Sequence, residues 1–317
     1  MILMNGVKKV AIAFLILLIV CGVAQAHFTM ILPKMDAKAE DYLADLGETK
    51  TLYILWGHPF EHVLFDCPNV EVSLRDPDGV TKPLTPEPVT VEGVKAWKVS
   101  FKVEKMGDYI VTVKLVAEEH GLIDYAKTII HCGEEAWKGW DAVVGQEAEV
   151  VPLTRPYGIE EGFVFSGKAL FNGEPLADAV VEVEKYHPKE VADPIVKLAE
   201  EKFKQDPPMM FTRVVKTNER GEFSFTLDEP GIWFIGAYAK GDEMEKRGVL
   251  IVPVLEKFPP EQKQVEKTSE LVDKIEDLNN KIGSLESRIS GLNNLGYGAI
   301  VLSVIALIVA IAAIARK

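Results

Sequence analysis

Lysine and arginine are in the minority here, 35 against 48 aspartates and glutamates, for a net charge of −13. Nucleic acid needs a basic face to pair with its phosphates, so that class of partner is set aside. The acidic balance is compatible with attraction of cations, but more often it simply confers solubility. Catalytic signatures are also missing. The chain has no nucleophile elbow, no phosphate-cradling glycine loop and no zinc-protease helix motif, and no enzyme is expected. Cysteine is scarce, with three residues, Cys21, Cys67 and Cys132. Long uninterrupted apolar runs occur only near the two ends.

The first of those runs has the parts of a secretory signal. Lys8 and Lys9 form a basic start, Val10 to Val20 is apolar, and Ala24-Gln25-Ala26 is a small-residue cleavage site. Residues 1–26 are therefore expected to be removed. Val20 stands where lipidation of Cys21 needs a small residue, so Cys21 leaves with the signal. Cys67 and Cys132 remain, and two readings stay open: one disulfide in an oxidising compartment, or two free buried thiols.

At the other end, Gly296 to Ala315 carries no charge. About 20 residues rising 1.5 Å each span about 30 Å, the thickness of a hydrocarbon core, so 295–317 reads as a single membrane anchor. Arg316 and Lys317 put its end on the cytoplasmic side and the ectodomain outside. Before it lies a heptad seam, Leu271, Ile275, Leu278, Ile282, Leu285, Ile289 and Leu292. Ile at a and Leu at d favour a parallel two-stranded coiled coil over 258–294, and hence a homodimer.

Between signal and stalk the pattern is mostly β. Residues 27–151 read as an immunoglobulin-like sandwich with strands over Lys50–Trp56, Val70–Arg75, Lys95–Val103, Tyr109–Val116 and Tyr125–His131. Pro152 to Gly158 marks a boundary. Residues 152–257 read as a second β-sandwich, with strands over Gly162–Phe171, Ala179–Val183, Phe211–Lys216, Phe223–Leu227, Ile232–Tyr238 and Gly248–Val254. Ile195, Leu198, Ala199 and Phe203 recur at helical spacing, which predicts a short helix over Glu190–Lys204. The fold class expected is two tandem sandwiches, a coiled-coil helix and one transmembrane helix.

Five stretches carry a family resemblance: His27-Phe28, Gly57-His58-Pro59-Phe60-Glu61, Glu149 to Tyr157, Gly162 to Pro175, and Thr217 to Ile235. Together they resemble a family of exported proteins of unassigned domain function, commonly described as extracytoplasmic components of cobalt or nickel uptake systems. The second half is also similar to the carboxypeptidase-regulatory-like β-sandwich. The resemblance implies a metal-binding role and transporter subunits as partners. The stalk and anchor are not part of the family pattern.

The residues supply their own argument for metal. Cleavage after Ala26 makes His27 the amino terminus, where its α-amine and ring Nδ1 form a chelate suited to nickel, cobalt, copper or zinc. His58 and His62 are four apart, and they share a face if Pro59 opens a helical turn. Glu61 offers an oxygen or an acceptor for a ring N–H. The expected metal site is His27, His58 and His62. Set against it, any residue can follow a signal site, and two loop histidines are often unrelated. His131 reads as a satisfied core group, His120 as a solvated turn residue, and His187 as a residue with no neighbour in sequence to work with. The leading expectation is a membrane-anchored nickel- or cobalt-binding protein. The alternatives are an adhesive or structural surface protein, and a copper protein using the terminal histidine.

Overall fold

The computed structural model describes residues 27–134, 136–203, 211–241, 243–259, 274–285 and 297–314. The signal segment 1–26 lies outside them, as do heptad residues Leu271, Ile289 and Leu292 and the closing Arg316 and Lys317. The chain divides into a unit ending at Phe258 and a second unit from Pro259.

The longer strands of the first unit begin with β1 (Phe28–Leu32), β2 (Thr49–His58), β3 (Val63–Phe65), β4 (Val70–Arg75) and β5 (Thr81–Leu84). They continue with β6 (Glu87–Val91), β7 (Val94–Lys102), β8 (Gly107–Ala117), β9 (Leu122–Cys132), β10 (Ala148–Pro152) and β11 (Phe163–Phe171). The last are β12 (Val180–Lys185), β13 (Arg213–Lys216), β14 (Glu222–Leu227), β15 (Gly231–Ala239) and β16 (Glu245–Leu255). The strands read from sequence are present within a few residues of their expected ends. The helix α1 covers Lys189–Lys202 and buries only Ala192 and Ala199.

The chain is mostly β and sandwich-like, but its two halves share a sheet. One outer sheet runs β1-β2-β7-β6, with β3 on β2, and the other is built on β10, β11 and β14. Between them lies a ten-stranded sheet whose main path is β13-β12-β15-β16-β9-β8-β4-β5. Its seam is β9 against β16, paired parallel with Asp124 opposite Arg247. The turn-rich stretch near Pro152 therefore changes layer without ending one compact unit and starting another. Successive side chains of a strand point to opposite faces. Ile232, Phe234, Val249 and Ile251 accordingly enter one core with Phe28, Ile54 and Val111. Trp233, Ile235, Leu250 and Val252 enter the other with Val150, Phe165 and Phe223. Burial on both faces is why β15 and β16 read as continuous apolar runs.

Both cysteines among the described residues are free thiols. Cys67 and Cys132 are buried and unpaired with each other, and burial pushes the Cys67 thiol up to about 12. The disulfide reading therefore gives way to the free-thiol reading.

In the second unit, residues 274–285 are helical, with Ile275, Leu278, Ile282 and Leu285 exposed. A further helix covers Tyr297–Ile314. Among the described residues no helix is long and apolar enough to cross a membrane. The 18 residues of Tyr297–Ile314 rise about 27 Å, short of the full hydrocarbon thickness.

Candidate functional site

The β1–β2 register decides where the first histidine sits. Phe28 pairs with Gly57 and Thr29 with Trp56, so His27 and His58 face each other one step further along the ladder. The ring centroids of His27 and His58 are 4.4 Å apart. Gly57 is required here, because a Cβ at that position would lie 2.0 Å from the Val63 carbonyl oxygen of the neighbouring β3. A larger residue would push β3 away and take the His58 turn with it.

The third ring comes from elsewhere. His120 ends the short turn Glu118–His120 between β8 and β9, closed by Gly121 in the left-handed conformation at φ 61°. Its ring centroid is 4.5 Å from that of His27. Trp56 stacks on His27 at 5.4 Å, and Phe65 lies 4.9 Å from it, so the cluster has an aromatic wall. Two imidazoles bound to one ion through N–metal bonds of about 2.0–2.1 Å have centroids about 4.5–5 Å apart. The centroid spacing is compatible with shared coordination. Among the described residues no group of three or more His, Cys, Asp or Glu is arranged to hold a metal ion.

His58 carries the most specific signal. Its Nδ1 lies 2.6 Å from the Glu61 carboxylate. Its Nε2 is buried and has no hydrogen-bond partner. Buried polar atoms are nearly always paired, so an orphan calls for an explanation. A carboxylate on one ring nitrogen fixes the tautomer and leaves the lone pair of the other for a metal, the usual support of a ligating histidine.

His62 does not join this cluster. Residues 59–62 form a turn between β2 and β3, not a helical turn, and His62 has a positive φ of 54°. The ring turns inward, where the His187 carbonyl and the Glu92 carboxylate, each at 2.9 Å, occupy both nitrogens. The His58/His62 spacing thus yields one cluster residue and one residue that pins the turn. His187 is buried and packs edge-on to Phe60 at 4.5 Å. His131 is the satisfied core group expected, 2.7 Å from Asp108 and stacked on Tyr157. His120 was legible only as a turn residue, because nothing near it in sequence reveals that the β8–β9 turn meets β1.

Two clefts meet at His27, Trp56, Glu119 and His120. One of about 1000 Å³ carries Glu119, Asp178, Glu182 and Glu245 against Lys240. The other, of about 840 Å³, carries Asp66, Glu71, Glu118 and Glu119 against Lys114. Carboxylates outnumber cations in both, which favours approach of a cation.

Glu184, on β12, is only 2% exposed and accepts a hydrogen bond from the Thr212 hydroxyl. Burial pushes its carboxyl up to about 8, with Glu182 and Glu61 adding to the rise. The folded chain thus holds this proton more tightly than the unfolded chain, whose glutamate titrates near 4.3. The stabilisation is complete below about pH 4 and is lost as pH rises to about 8, at up to about 1.4 kcal/mol per pH unit. Glu184→Gln is expected to abolish that slope. Urea unfolding of both proteins at pH 5 and pH 8 measures it, and parallel pH trends would refute the assignment.

The architecture is that of a β-sandwich protein with a histidine cluster at the edge where β1 meets β2. A family model described as "Domain of unknown function (DUF4198)" matches residues 24–241. The chain belongs to this family. No curated protein matches it. Among solved structures, Salmonella alpha-2-macroglobulin reacted with methylamine is similar at 13% identity and TM-score 0.25, over 73% of this chain and 15% of that one. The D0-D1 domain of intimin is similar at 14% identity and TM-score 0.20, over 72% and 99% of the two chains. The ICAM-5 D1-D4 fragment gives 13% identity and TM-score 0.21, over 72% and 47%. The chain spans about 15% of the alpha-2-macroglobulin. None of the three bears on what this chain does.

Proposed function

We propose that this protein captures a divalent transition metal outside the cytoplasm, nickel or cobalt first among the candidates, and passes it to a membrane transporter. The observation that carries the reading is the buried, unpartnered Nε2 of His58, backed by the Glu61 carboxylate, on a ring packed against His27, which in turn packs against His120. His27, His58 and His120 would supply imidazole nitrogens, and the α-amine of a processed His27 would add a fourth. Imidazole suits nickel, copper and zinc alike, and affinity order alone favours copper. Metal choice therefore rests on ligand geometry and on supply.

The same reading keeps 295–317 as a membrane anchor and 258–294 as a parallel dimeric stalk. The exposed Ile275, Leu278, Ile282 and Leu285 support a second helix packed on that stripe. Sedimentation of the full chain in detergent as a monomer would remove the dimer.

The functional test is calorimetric titration of the mature chain, His27 to Lys317, with Ni, Co, Cu and Zn. A parallel sample carries one extra residue before His27, which removes the terminal amine as a chelating partner. Tight one-to-one binding, weakened by the extra residue, is the expected result. Binding no better than about 0.1 mM, roughly −5.5 kcal/mol, for every metal would overturn the reading and favour a surface protein without metal.

A further inference from the structure

We infer that Asp124 and Arg247 are positioning residues for the metal centre, a buried charge cluster whose free arms fix His27 opposite His58. The inference rests on the metal reading above and adds what holds the chelating residue in place.

Asp124 and Arg247 are completely buried and joined by two hydrogen bonds, Nε to Oδ1 at 2.8 Å and Nη2 to Oδ2 at 2.9 Å. The cluster has more arms than the β9–β16 seam requires. Arg247 Nη2 also donates to the carbonyl oxygen of His27. Asp124 Oδ2 accepts both the backbone N–H and the hydroxyl of Thr29, each at 2.9 Å. The guanidinium lies 4.2 Å from the Phe28 ring. Three successive residues, His27 and the first two of β1, are thus gripped by one ion pair from two other strands.

On its far side Arg247 Nη1 donates to the Tyr238 hydroxyl at 2.7 Å, and that hydroxyl donates to Glu182 at 2.7 Å. The guanidinium is therefore held from both sides.

This grip matters because β1 is an edge strand. Among the described residues it pairs with β2 alone, from Phe28 onward. A terminal residue held by one flank frays, and a chelate formed by an amine and a ring on the same residue needs that backbone still. The His27 carbonyl bond and the Thr29 bonds bracket the residue that must stay in register with His58. Groups that orient ligands without touching the metal commonly change affinity about 10–100-fold when lost.

The test uses the mature chain from His27 to Lys317, with Co(II) as the probe. Arg247→Lys keeps the charge but gives up the planar fork that reaches Asp124 and His27 together. Thr29→Val removes only the hydroxyl arm and keeps the backbone N–H. Three quantities are read: Co(II) affinity, the visible absorption of bound Co(II), and the urea midpoint of the metal-free protein. Both variants are expected to bind Co(II) at least about 10-fold more weakly, with an altered absorption spectrum. A merely structural role would lower the urea midpoint and leave the spectrum of the folded, metal-bound protein unchanged.

Folded variants with wild-type affinity and spectrum would overturn the positioning role while leaving the metal reading intact. If Arg247→Lys does not fold, Thr29→Val decides by the same criteria. Failure of the wild-type chain to bind any of Ni, Co, Cu and Zn removes the metal reading itself, and this inference with it; if it binds another of them but not Co(II), that metal replaces Co(II) as the probe.

Discussion

Asp124→Ala is expected to lower the unfolding free energy of the first unit, which ends at Phe258, by about 3–5 kcal/mol, the cost of leaving a buried charge without its partner. The substitution removes a carboxylate that accepts from Arg247 Nε, Arg247 Nη2, the Thr29 N–H and the Thr29 hydroxyl. It strands a guanidinium with no solvent exposure. Glu182, whose carboxylate lies 3.8 Å from Arg247 Nη1, relieves only part of that loss. The exposed pair Lys216–Asp178 supplies the contrast. Surface pairs are screened and contribute little, so Lys216→Ala should leave the guanidinium midpoint almost unchanged. Chemical denaturation of the three proteins at neutral pH measures both effects. A midpoint for Asp124→Ala within error of wild type would mean that the seam does not depend on this pair.

The second large effect follows from the proposed metal site. His58→Ala is expected to weaken binding by at least about 100-fold, because it removes the proposed ligand outright, and Glu61→Gln by about 10-fold, because it weakens only the group behind that residue. His62→Ala should leave affinity nearly unchanged, since both of its ring nitrogens are already engaged by His187 and Glu92. His120→Ala falls between, as an exposed residue held less firmly than His58. The order His58, then His120, then His62 is the content of the prediction. Titration of each variant against the metal that the wild type binds most tightly gives it directly. A larger loss for His62 than for His58 would show that the cluster has been assigned to the wrong pair.

Much of the β architecture was legible in local sequence. Alternating and β-branched runs placed the strands, and helical spacing around Ile195 and Leu198 placed α1, because these signals depend only on near neighbours. The two-domain picture was less complete for a physical reason. β15 and β16 are apolar on both faces, which locally resembles any buried strand. Only the parallel pairing of Leu122–Thr128 with Glu245–Ile251 shows that both halves use one sheet. β1 was not read as a strand. It is five residues long, directly after the expected cleavage site, and its burial depends on β2.

The candidate site divides the same way. Sequence alone determined that His27 follows a cleavage pattern, that His58 has a carboxylate three residues away at Glu61, and that the chain carries a net charge of −13. Tertiary structure decided which histidines meet. The register of β1 on β2 set His27 beside His58, the β8–β9 turn brought His120 to them, and the positive φ at His62 turned that ring into the interior. Register and turn handedness arise from pairing between segments far apart in the chain, and local residue spacing carries no record of them.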